Sequence, residues 1–550
     1  MPVVEAKLWD LARLIKVEVN ESTLRDALTA LKAEIEELSE DTIIYEASHD
    51  RPDLFSAEGL GRALSFIFGV RKPSKYAVDY SSITLDVSNA PNYRPYAFIA
   101  IVKNVELDDE SIRQIFQLQE KLHLTYCGDR EFVSIGLYDL DKVKPPIRYV
   151  EVRNARFRPL NKSATMTLDK ILEKTEKGLK YSHLVRKGRY PLLQDSNGEV
   201  LSFPPIINSD VNKITETTKN VLIDVTGTEP YLMSKVLNII TTSVAERGGK
   251  GGAIIERVRV LGRDGRVIDT APKLNGFVID LKPHNLENLI GIKLSVNEIK
   301  NMLPKMGYLI ESASTDLLKV WVPPYRVDVI GEVDIIEDIA IMYGYERLPT
   351  DVLPPTHYGG VHSIEYLSSI IRDLMMGLGF EEVVNFMLID SELLRDVSTE
   401  IYVELANPKM KSYSAVRNSL IPSLLLSVIE NVDLQQQLKI FEVGDVVKIT
   451  NEGDYVSQRH LGFAIYGENV TLTDGLVVIK SLLTTLGISY ELRRGEHRIF
   501  ISGRIASVVV NGNEVGIVGE MHPRYLVKHK LFWPLVIGEL NLSELVTKLK

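Results

Sequence analysis

The sequence has almost no cysteine and no long apolar run. Cys127 is the single cysteine among 550 residues, so no disulfide can form within the chain, and a reducing cytoplasm is the expected location. The first residues mix acids and bases among apolar side chains and do not predict a signal peptide. No apolar stretch is long enough to cross a bilayer. We therefore expect a cytoplasmic chain without membrane contact.

Several common catalytic motifs are also missing. The sequence contains no HExxH, CxxC or GxSxG, which removes the main support for a zinc hydrolase, a dithiol redox protein or a serine hydrolase. The GGKGG stretch at 248–252 lacks the spacing of a phosphate-binding loop and is better interpreted as a turn after a helix. The ten histidines are scattered and are interpreted as surface or satisfied core residues.

An excess of positive charge is absent as well. Lys and Arg number 64 against 74 Asp and Glu, a formal net charge of −10. A protein that binds nucleic acid over a broad surface is normally basic. Any contact with RNA must therefore use local basic clusters, such as Arg186 to Arg189 or Arg493 to Arg498, or a partner chain.

The length and the element pattern predict a multidomain α+β protein. At about 150 residues per domain, 550 residues suggest three or four domains. We place them at 1–75, 76–272, 273–348 and 349–550, with a Pro- and Gly-rich linker at 350–360. Residues 76–272 mix strands and helices, and 273–348 end in the helix DIIEDIAIMYG. The last part alternates helices with many strands, which is typical of an antiparallel α+β domain.

Four carboxylates concentrate near residue 330. Asp334, Glu337 and Asp338 stand at i, i+3 and i+4 and would share one helical face. Asp328 lies just upstream and can fold over to join them. Such a set of oxygen ligands suits Mg²⁺. On spacing alone, a solvated acidic first turn that complements the helix dipole is the favoured alternative.

A second candidate site combines a hydroxyl and a carboxylate on strands. Asp224 and Thr226 alternate with apolar residues in NVLIDVTGTEP, so both side chains leave the same face of a strand. Together with Ser202 they can line a small polar pocket. For an isolated DxT the favoured alternative is ordinary edge-strand alternation, with Asp and Thr facing solvent.

Taken together, the segments resemble the β subunits of archaeal and eukaryotic cytosolic phenylalanyl-tRNA synthetases over essentially the whole chain. No single segment is decisive, but their shared order is highly specific and reverses both alternatives above. The segments are RPDLFSAEGLGRAL, RPYAFIAIV, VSIGLYDLDKVKPPIRY, FRPLNK, YPLLQDSNGEVLSFPPIINSD, VLIDVTGT, PPYRVDVIGEVDIIEDIAIMYGYERLP, NPKMKSYSAVRNSLIPSLL, KIFEVGDVV and VGIVGEMHP.

The resemblance implies a role for each domain. Residues 1–75 would form an N-terminal module, 76–272 a tRNA-editing domain of the B3/B4 type, 273–348 a B5-like domain, and 349–550 a catalytic-like class II synthetase domain. The editing pocket would contain Leu193, Ser202, Asp224 and Thr226. The Mg²⁺ site would consist of Asp328, Asp334, Glu337 and Asp338.

The resemblance also implies partners and a reaction. The chain would assemble with a catalytic α subunit as an (αβ)₂ heterotetramer that uses ATP to attach phenylalanine to its tRNA, with ATP and phenylalanine bound through the α subunit. The β chain itself would bind that tRNA and hydrolyse mischarged Tyr-tRNA. The extra tRNA-binding modules that flank the bacterial β subunit are missing, so anticodon contact through such a module is not expected.

One departure from a working class II site is visible in the sequence. Such a site needs an arginine two residues before a strand glutamate to hold the ATP α-phosphate, and a second arginine on a later element. Ile440 stands two residues before Glu442, and FWPLVIGELNL contains no arginine. Without these cations the charge that develops on phosphate is not stabilised. We therefore expect an inactive copy of the catalytic domain and no aminoacylation by this chain alone.

Two other classes of function remain as alternatives to an enzyme subunit. A free-standing scaffold for RNA or protein would not need Ser202, Asp224 and Thr226 to converge on a pocket. A self-sufficient ligase is opposed by the missing arginines.

Overall fold

Two units, Met1–Asp351 and Val352–Lys550, make up the chain. The computed structural model describes residues 2–17, 21–350, 358–398, 400–432 and 437–546; residues 351–357 of the expected linker lie outside this description. Several sheets covered by helices confirm a multidomain α+β protein. Among the described helices, none is long and apolar enough to cross a membrane.

The first unit begins with a small antiparallel sheet and three helices. The strands have the order β1-β3-β2. The bounds are β1 Val3–Lys7, α1 Leu8–Ile15, α2 Glu21–Ala30, β2 Ala33–Leu38, β3 Thr42–Ala47 and α3 Ala57–Ile67.

The helix α3 is held by local geometry and by buried charge. Ser56 caps its N-terminus by accepting a hydrogen bond from the Gly59 amide. A Cβ on Gly59 would lie 1.6 Å from the Asp53 carbonyl oxygen, so this close approach of two backbones requires glycine. The Arg247 guanidinium donates to Asp10 Oδ1 at 2.7 Å and to Glu58 Oε1 at 2.6 Å, with all three side chains buried. This pairing joins α1 and α3 to a residue that lies 189 positions beyond Glu58 in the chain.

A large twisted sheet with four helices follows. Its elements are β4 Val78–Asp86, β5 Tyr96–Lys103, α4 Asp109–Leu124, β6 Val133–Asp139, β7 Ile147–Val152, β8 Arg156–Phe157, β9 Met166–Thr167, α5 Leu168–Lys174, α6 Glu176–Tyr181, β10 Tyr190–Gln194, β11 Val200–Phe203, β12 Ile207–Asn208, β13 Asn220–Gly227, α7 Pro230–Ala245, β14 Ile254–Leu261 and β15 Val267–Ala271. The strands β8 and β9 form a separate pair.

The order of strands in the large sheet places β13 inside it. The path is β12-β11-β10-β7-β4-β14-β5-β13-β6, with β15 on β14, and only the β4–β14 and β4–β7 pairs are parallel. The helix α7 packs on β5 and β13, and α4 packs on α7 and β6. Because β13 has neighbours on both edges and a helix over one face, its side chains are almost all buried.

The first unit ends with a three-stranded antiparallel sheet in the order β16-β18-β17 and three helices around their own apolar core. The bounds are β16 Phe277–Leu281, α8 Pro283–Ile290, α9 Val296–Met302, β17 Leu309–Ala313, β18 Leu318–Val322 and α10 Glu332–Tyr343.

The second unit is built on a seven-stranded sheet in the order β19-β23-β24-β28-β27-β26-β25, antiparallel except for the β19–β23 pair. A separate small sheet with the order β20-β22-β21 is formed by strands that lie between β19 and β23 in the sequence. The elements are α11 Ser363–Gly377, β19 Glu381–Glu382, β20 Leu388–Ile389, α12 Ser391–Val397, β21 Val403–Glu404, β22 Ala415–Val416, α13 Ile421–Asn431, β23 Leu438–Ile449, β24 Tyr455–Tyr466, α14 Leu472–Thr485, β25 Glu491–Arg494, β26 Phe500–Val510, β27 Asn513–Met521, α15 Pro523–Lys528, β28 Leu535–Asn541 and α16 Leu542–Val546.

Each face of the seven-stranded sheet has its own apolar core. Residues of α11, α14 and α16 pack on one face, and residues of α13 and α15 pack on the other. The alternation of helices and strands in the sequence thus correctly predicts an antiparallel α+β arrangement in this part of the chain.

Candidate active site

A cavity of about 340 Å³ opens beside β13 in the first unit. Its walls come from α4, β6, β11, β13 and the segment 204–208, with Lys177 from α6 and Asn161 from the segment between β8 and β9. Two of the four residues predicted for this pocket, Ser202 and Asp224, line it. The volume lies within the range of small-molecule sites.

The Asp224 carboxyl is a strongly perturbed group of the cavity wall. It is 2% exposed, and its Oδ1 accepts a hydrogen bond of 2.5 Å from the Tyr138 hydroxyl. Burial raises the pKa of Asp224 to about 7, although the Tyr138 hydrogen bond and the charge of Arg94 act in the opposite direction. The carboxyl therefore exchanges a proton close to neutral pH.

Gly136 makes room for this pair. It lies directly opposite Asp224 in the β6–β13 register. A Cβ at this position would lie 2.1 Å from Asp224 Oδ1 and 2.1 Å from the Tyr138 hydroxyl oxygen. The Tyr138–Asp224 hydrogen bond therefore requires glycine on the neighbouring strand.

Ser202 contributes a free hydroxyl, and Leu193 lies behind it. Ser202 Oγ is buried and has no hydrogen-bond partner of good geometry among the described residues, although it lies near the Tyr138 phenol. Leu193 is fully buried opposite Ser202 in the β10–β11 register and does not line the cavity described here. Leu193 therefore lies behind Ser202, and its place in an editing pocket stays a prediction.

Thr226 is close to Asp224 in the chain but points into a different hydrogen-bond group. Its hydroxyl lies 2.8 Å from Ser134 Oγ, and its carbonyl accepts a bond of 2.8 Å from Arg94 Nη2. Ser134 lines the cavity, whereas Thr226 does not. Thr226 therefore acts on the cavity through Ser134.

One wall of the cavity depends on Arg130. Its Nη1 donates to the carbonyl oxygens of Pro205 and Ile206 at 3.2 Å, and its Nη2 lies 3.2 Å from Glu120 Oε2.

Three residues of the cavity wall, Arg130, Tyr138 and Gly136, were not predicted from the sequence. A signal for the last two was present, because Ser134, Gly136 and Tyr138 alternate along VSIGLYD and so leave one face of a strand.

The raised pKa of Asp224 gives a testable pH dependence of stability. The pKa is about 7 in the folded chain against 3.8 for an unperturbed Asp, so the folded state binds more protons between these values and loses stability as the pH rises through them. Asp224→Asn removes this loss. We expect the free energy of unfolding of the variant, relative to that of wild type, to increase by about 2–3 kcal/mol from pH 5 to pH 7.5.

Urea denaturation at a series of pH values measures this difference. Asp264→Asn, which changes an exposed carboxylate, is the control and should show no such trend. A difference between Asp224→Asn and wild type that stays constant with pH would mean that the carboxyl ionises in its ordinary range.

The predicted Mg²⁺ ligands do not form a single cluster in the structure, because a buried arginine forms ion pairs with two of them. Arg326 Nη2 lies 2.7 Å from Asp328 Oδ2 and 2.6 Å from Asp338 Oδ2, and Tyr308 donates to the same oxygen of Asp338 at 2.6 Å. Burial alone would raise the pKa of Asp328, but the charge of Arg326 holds that pKa below its usual value. These two carboxylates balance a cation of the protein itself.

The other two carboxylates also have separate partners. Asp334 caps α10 by accepting the amides of Ile330 and Gly331 at 2.7 and 2.8 Å, and Glu337 pairs with Lys32 at 3.0 Å. The part of the chain that the structure describes contains no group of three or more His, Cys, Asp or Glu side chains able to hold a metal ion. The four carboxylates thus have separate protein partners in the structure, and Mg²⁺ binding by them stays a prediction.

Replacement of Asp338 separates these two interpretations. Asp338→Asn keeps the shape of the side chain but leaves the buried Arg326 with one carboxylate, so we expect a loss of about 3 kcal/mol in the free energy of unfolding. The loss should be equal in Mg²⁺ and in EDTA. Glu337→Gln, whose side chain is 48% exposed, should cost less than about 1 kcal/mol. A loss for Asp338→Asn that appears only with Mg²⁺ would restore the metal site.

Three family models match successive parts of the chain. The B3/4 domain matches residues 94–252, the tRNA synthetase B5 domain matches 279–345, and the phenylalanyl-tRNA synthetase beta chain CLM domain matches 349–542. The cavity around Asp224 lies within the first of these matches, and the Arg326 cluster lies within the second.

Similar proteins cover the full length. The phenylalanine–tRNA ligase beta subunit of Thermofilum pendens is 43% identical over 99% of this chain and 98% of its own, and that of Pyrococcus furiosus is 38% identical over 99% and 100%. The crystal structure of an N-terminal fragment of the phenylalanyl-tRNA synthetase beta-subunit from Pyrococcus horikoshii is 39% identical, with a TM-score of 0.59, and covers 62% of this chain and 100% of the fragment.

The matched domains are those of an aminoacyl-tRNA synthetase subunit. With full-length relatives of this identity, the chain belongs to the family of phenylalanine–tRNA ligase β subunits.

Proposed function

We propose that the chain assembles with a catalytic α subunit as an (αβ)₂ phenylalanine–tRNA ligase and that it hydrolyses mischarged Tyr-tRNA in the cavity around Asp224. ATP and phenylalanine bind through the α subunit. The proposal keeps an N-terminal module at 1–75, an editing domain at 76–272, a B5-like domain at 273–348 and a class II-like domain at 349–550. The main observation in its support is the buried carboxyl of Asp224, whose pKa is raised to about 7. It faces a cavity that also contains an unpaired Ser202 hydroxyl.

The second unit is suited to partnership and not to adenylation. Ile440 is buried in the apolar core on one face of the seven-stranded sheet, where a class II enzyme would need a cation. Glu442 is paired with Arg417 at 2.7 Å, and both side chains are buried. Arg417 also donates to the Asp445 carbonyl, so this arginine is held in the core and cannot reach a phosphate.

Glu539, a buried acidic residue of the same sheet, is also paired within the fold. Glu539 Oε1 lies 2.6 Å from His460 Nδ1 and accepts the Leu420 amide at 2.9 Å, and Oε2 accepts the Ser419 hydroxyl. Because ATP activation depends on cations that stabilise the charge developing on phosphate, a sheet whose buried Glu442 and Glu539 are both paired within the fold supports an inactive copy.

Pyrophosphate exchange tests the division between the subunits. The purified chain alone should show no phenylalanine-dependent ATP–pyrophosphate exchange, because it lacks the phosphate-binding arginines. Addition of the α chain should restore exchange and give a single heteromeric peak in size-exclusion chromatography with light scattering. Exchange by the chain alone would refute the inactive-copy assignment.

Discrimination by one hydroxyl explains why a second site is needed. Phenylalanine and tyrosine differ by a hydroxyl, and an apolar synthetic pocket rejects an added hydroxyl by only about a hundredfold. A cavity with buried polar groups has the opposite preference. Phenylalanine would leave the buried Ser202 hydroxyl without a partner, at a cost of about 1–3 kcal/mol, whereas the hydroxyl of tyrosine can satisfy it.

Asp224 can serve the hydrolysis in two ways. With a pKa of about 7 it can accept a proton from the attacking water as a general base. Alternatively, it orients water, the tyrosyl hydroxyl or the terminal ribose hydroxyl without taking the proton. Under the first role the deacylation rate rises with pH through about 7, and under the second it does not follow this ionisation.

Deacylation by the assembled enzyme tests the editing proposal. We expect Asp224→Ala to slow hydrolysis of Tyr-tRNA about a hundredfold or more. Thr226→Ala, which acts through Ser134, should slow it about tenfold, the equivalent of one hydrogen bond. Asp264→Ala, at an exposed carboxylate, is the matched control. Synthesis of Phe-tRNA should stay nearly intact, because the synthetic site belongs to the α chain.

If both Asp224→Ala and Thr226→Ala clear Tyr-tRNA at the wild-type rate, the editing site lies elsewhere. If Asp224→Ala slows deacylation instead, a pH–rate profile of wild type and Asp224→Asn distinguishes the general base from the orienting role.

A further inference from the structure

A cleft of about 580 Å³ in the second unit combines cations from three separate parts of the chain. We call it the basic cleft; its charged lining consists of Arg395, Arg498, Arg524, Lys528, Glu392 and Asp396. Arg395 lies on α12, Lys528 and Arg524 lie on α15, and Arg498 lies between β25 and β26. The cleft is open to solvent and carries two more positive than negative charges.

The carboxylates of the basic cleft already have partners. Asp396 pairs with Lys528 at 2.6 Å. Glu392 pairs with Lys411, outside the cleft, at 2.8 Å. These pairs leave Arg498 and Arg524 without a carboxylate among the described lining residues. No carboxylate of the cleft therefore balances the charge of these two guanidinium groups.

Neutral acceptors hold both arginines in place. Arg524 Nη2 donates to the Arg498 carbonyl at 2.9 Å and to the Tyr525 hydroxyl at 3.0 Å. Arg498 Nη2 donates to the carbonyl oxygens of Arg395 and Ser398. A guanidinium has five N–H donors, so these bonds fix the position of each group and leave further donors facing the cleft. The arrangement orients positive charge without neutralising it.

We propose that the basic cleft binds phosphate groups of the tRNA backbone. The proposal rests on the function proposed above, which supplies the RNA. Phosphate contacts from Arg and Lys position a nucleic acid and need no base readout. In a chain with a net charge of −10, such a local excess of cations is where a polyanion would be attracted.

The shape of the basic cleft favours a polymer over a free phosphate ion. A single anion is bound by donors that converge on one point, whereas these cations are spread along an open groove and come from three segments. The same region offers an apolar contact for an unstacked base, since Phe532 follows α15 and is 88% exposed. Arg494 on the edge strand β25 is exposed as well, whereas the neighbouring Arg493 pairs with Glu491 at 2.8 Å.

Salt-dependent tRNA binding tests the proposal. The full-length chain, alone and with its α subunit, is titrated with an unmodified transcript of the tRNA specific for phenylalanine between 50 and 200 mM KCl (about the range in which phosphate contacts dominate). Arg498→Gln with Arg524→Gln should weaken binding about tenfold or more and reduce the slope of log K against log salt by about 2.

A second variant guards against misfolding. Arg395 and Lys528 are 66% and 56% exposed, so Arg395→Gln with Lys528→Gln should fold normally and reduce affinity and slope in the same direction. Arg263→Gln with Arg266→Gln removes two exposed cations from the first unit and is the matched control. Wild-type affinity and slope in both cleft variants would overturn the proposal.

Inorganic phosphate provides the arm that separates a free-anion site from an RNA site. Loss of phosphate binding in the cleft variants with unchanged tRNA affinity would also overturn the proposal. Deacylation of Tyr-tRNA is measured on the wild-type complex in parallel. If the wild-type complex deacylates Tyr-tRNA normally while the cleft variants keep the wild-type slope of log K against log salt, only the phosphate-binding role of the basic cleft is refuted. A wild-type complex without deacylation refutes the editing function and leaves the slope comparison intact.

Discussion

The need to pair every charge removed from water governs the first unit. Arg247 lies between Asp10 and Glu58 with all three side chains buried, and it thereby connects the N-terminal sheet to the helix that covers the large sheet. Removal of one partner from such a group leaves an uncompensated buried charge, which typically costs about 3–5 kcal/mol. The relative positions of α1, α3 and the end of α7 are therefore fixed together.

Asp224 is the contrast to this arrangement. It is equally buried, but its hydrogen-bond partner is the Tyr138 phenol and not a cation. A carboxyl in this environment resolves the conflict by holding its proton up to about neutral pH. Perturbed groups of this kind concentrate at functional sites, and here the group faces a cavity.

The same pairing accounts for other buried carboxylates of the chain. Arg326 pairs with Asp328 and Asp338, and Arg417 pairs with Glu442, so each of these carboxylates has a cation of the protein beside it. The basic cleft shows the opposite balance, because Arg498 and Arg524 are held by carbonyl oxygens and keep their charge. Charged side chains that pair with an opposite charge inside the fold differ from those that bond only neutral acceptors. The partners of each side chain show to which group it belongs.

Local patterns in the sequence determined the α+β organisation, the common strand face of Asp224 and Thr226, and the lack of an arginine at Ile440. The first two features follow from the periodicities of 3.6 and two residues in helices and strands, and the third follows from the identity of one residue. Tertiary structure decided the rest. It placed β13 inside the sheet, which buries Asp224; it brought Tyr138 to Asp224 across 86 residues; and it gave Arg326 to two of the predicted Mg²⁺ ligands. Burial and charge pairing depend on neighbours far along the chain, so no local pattern can specify them.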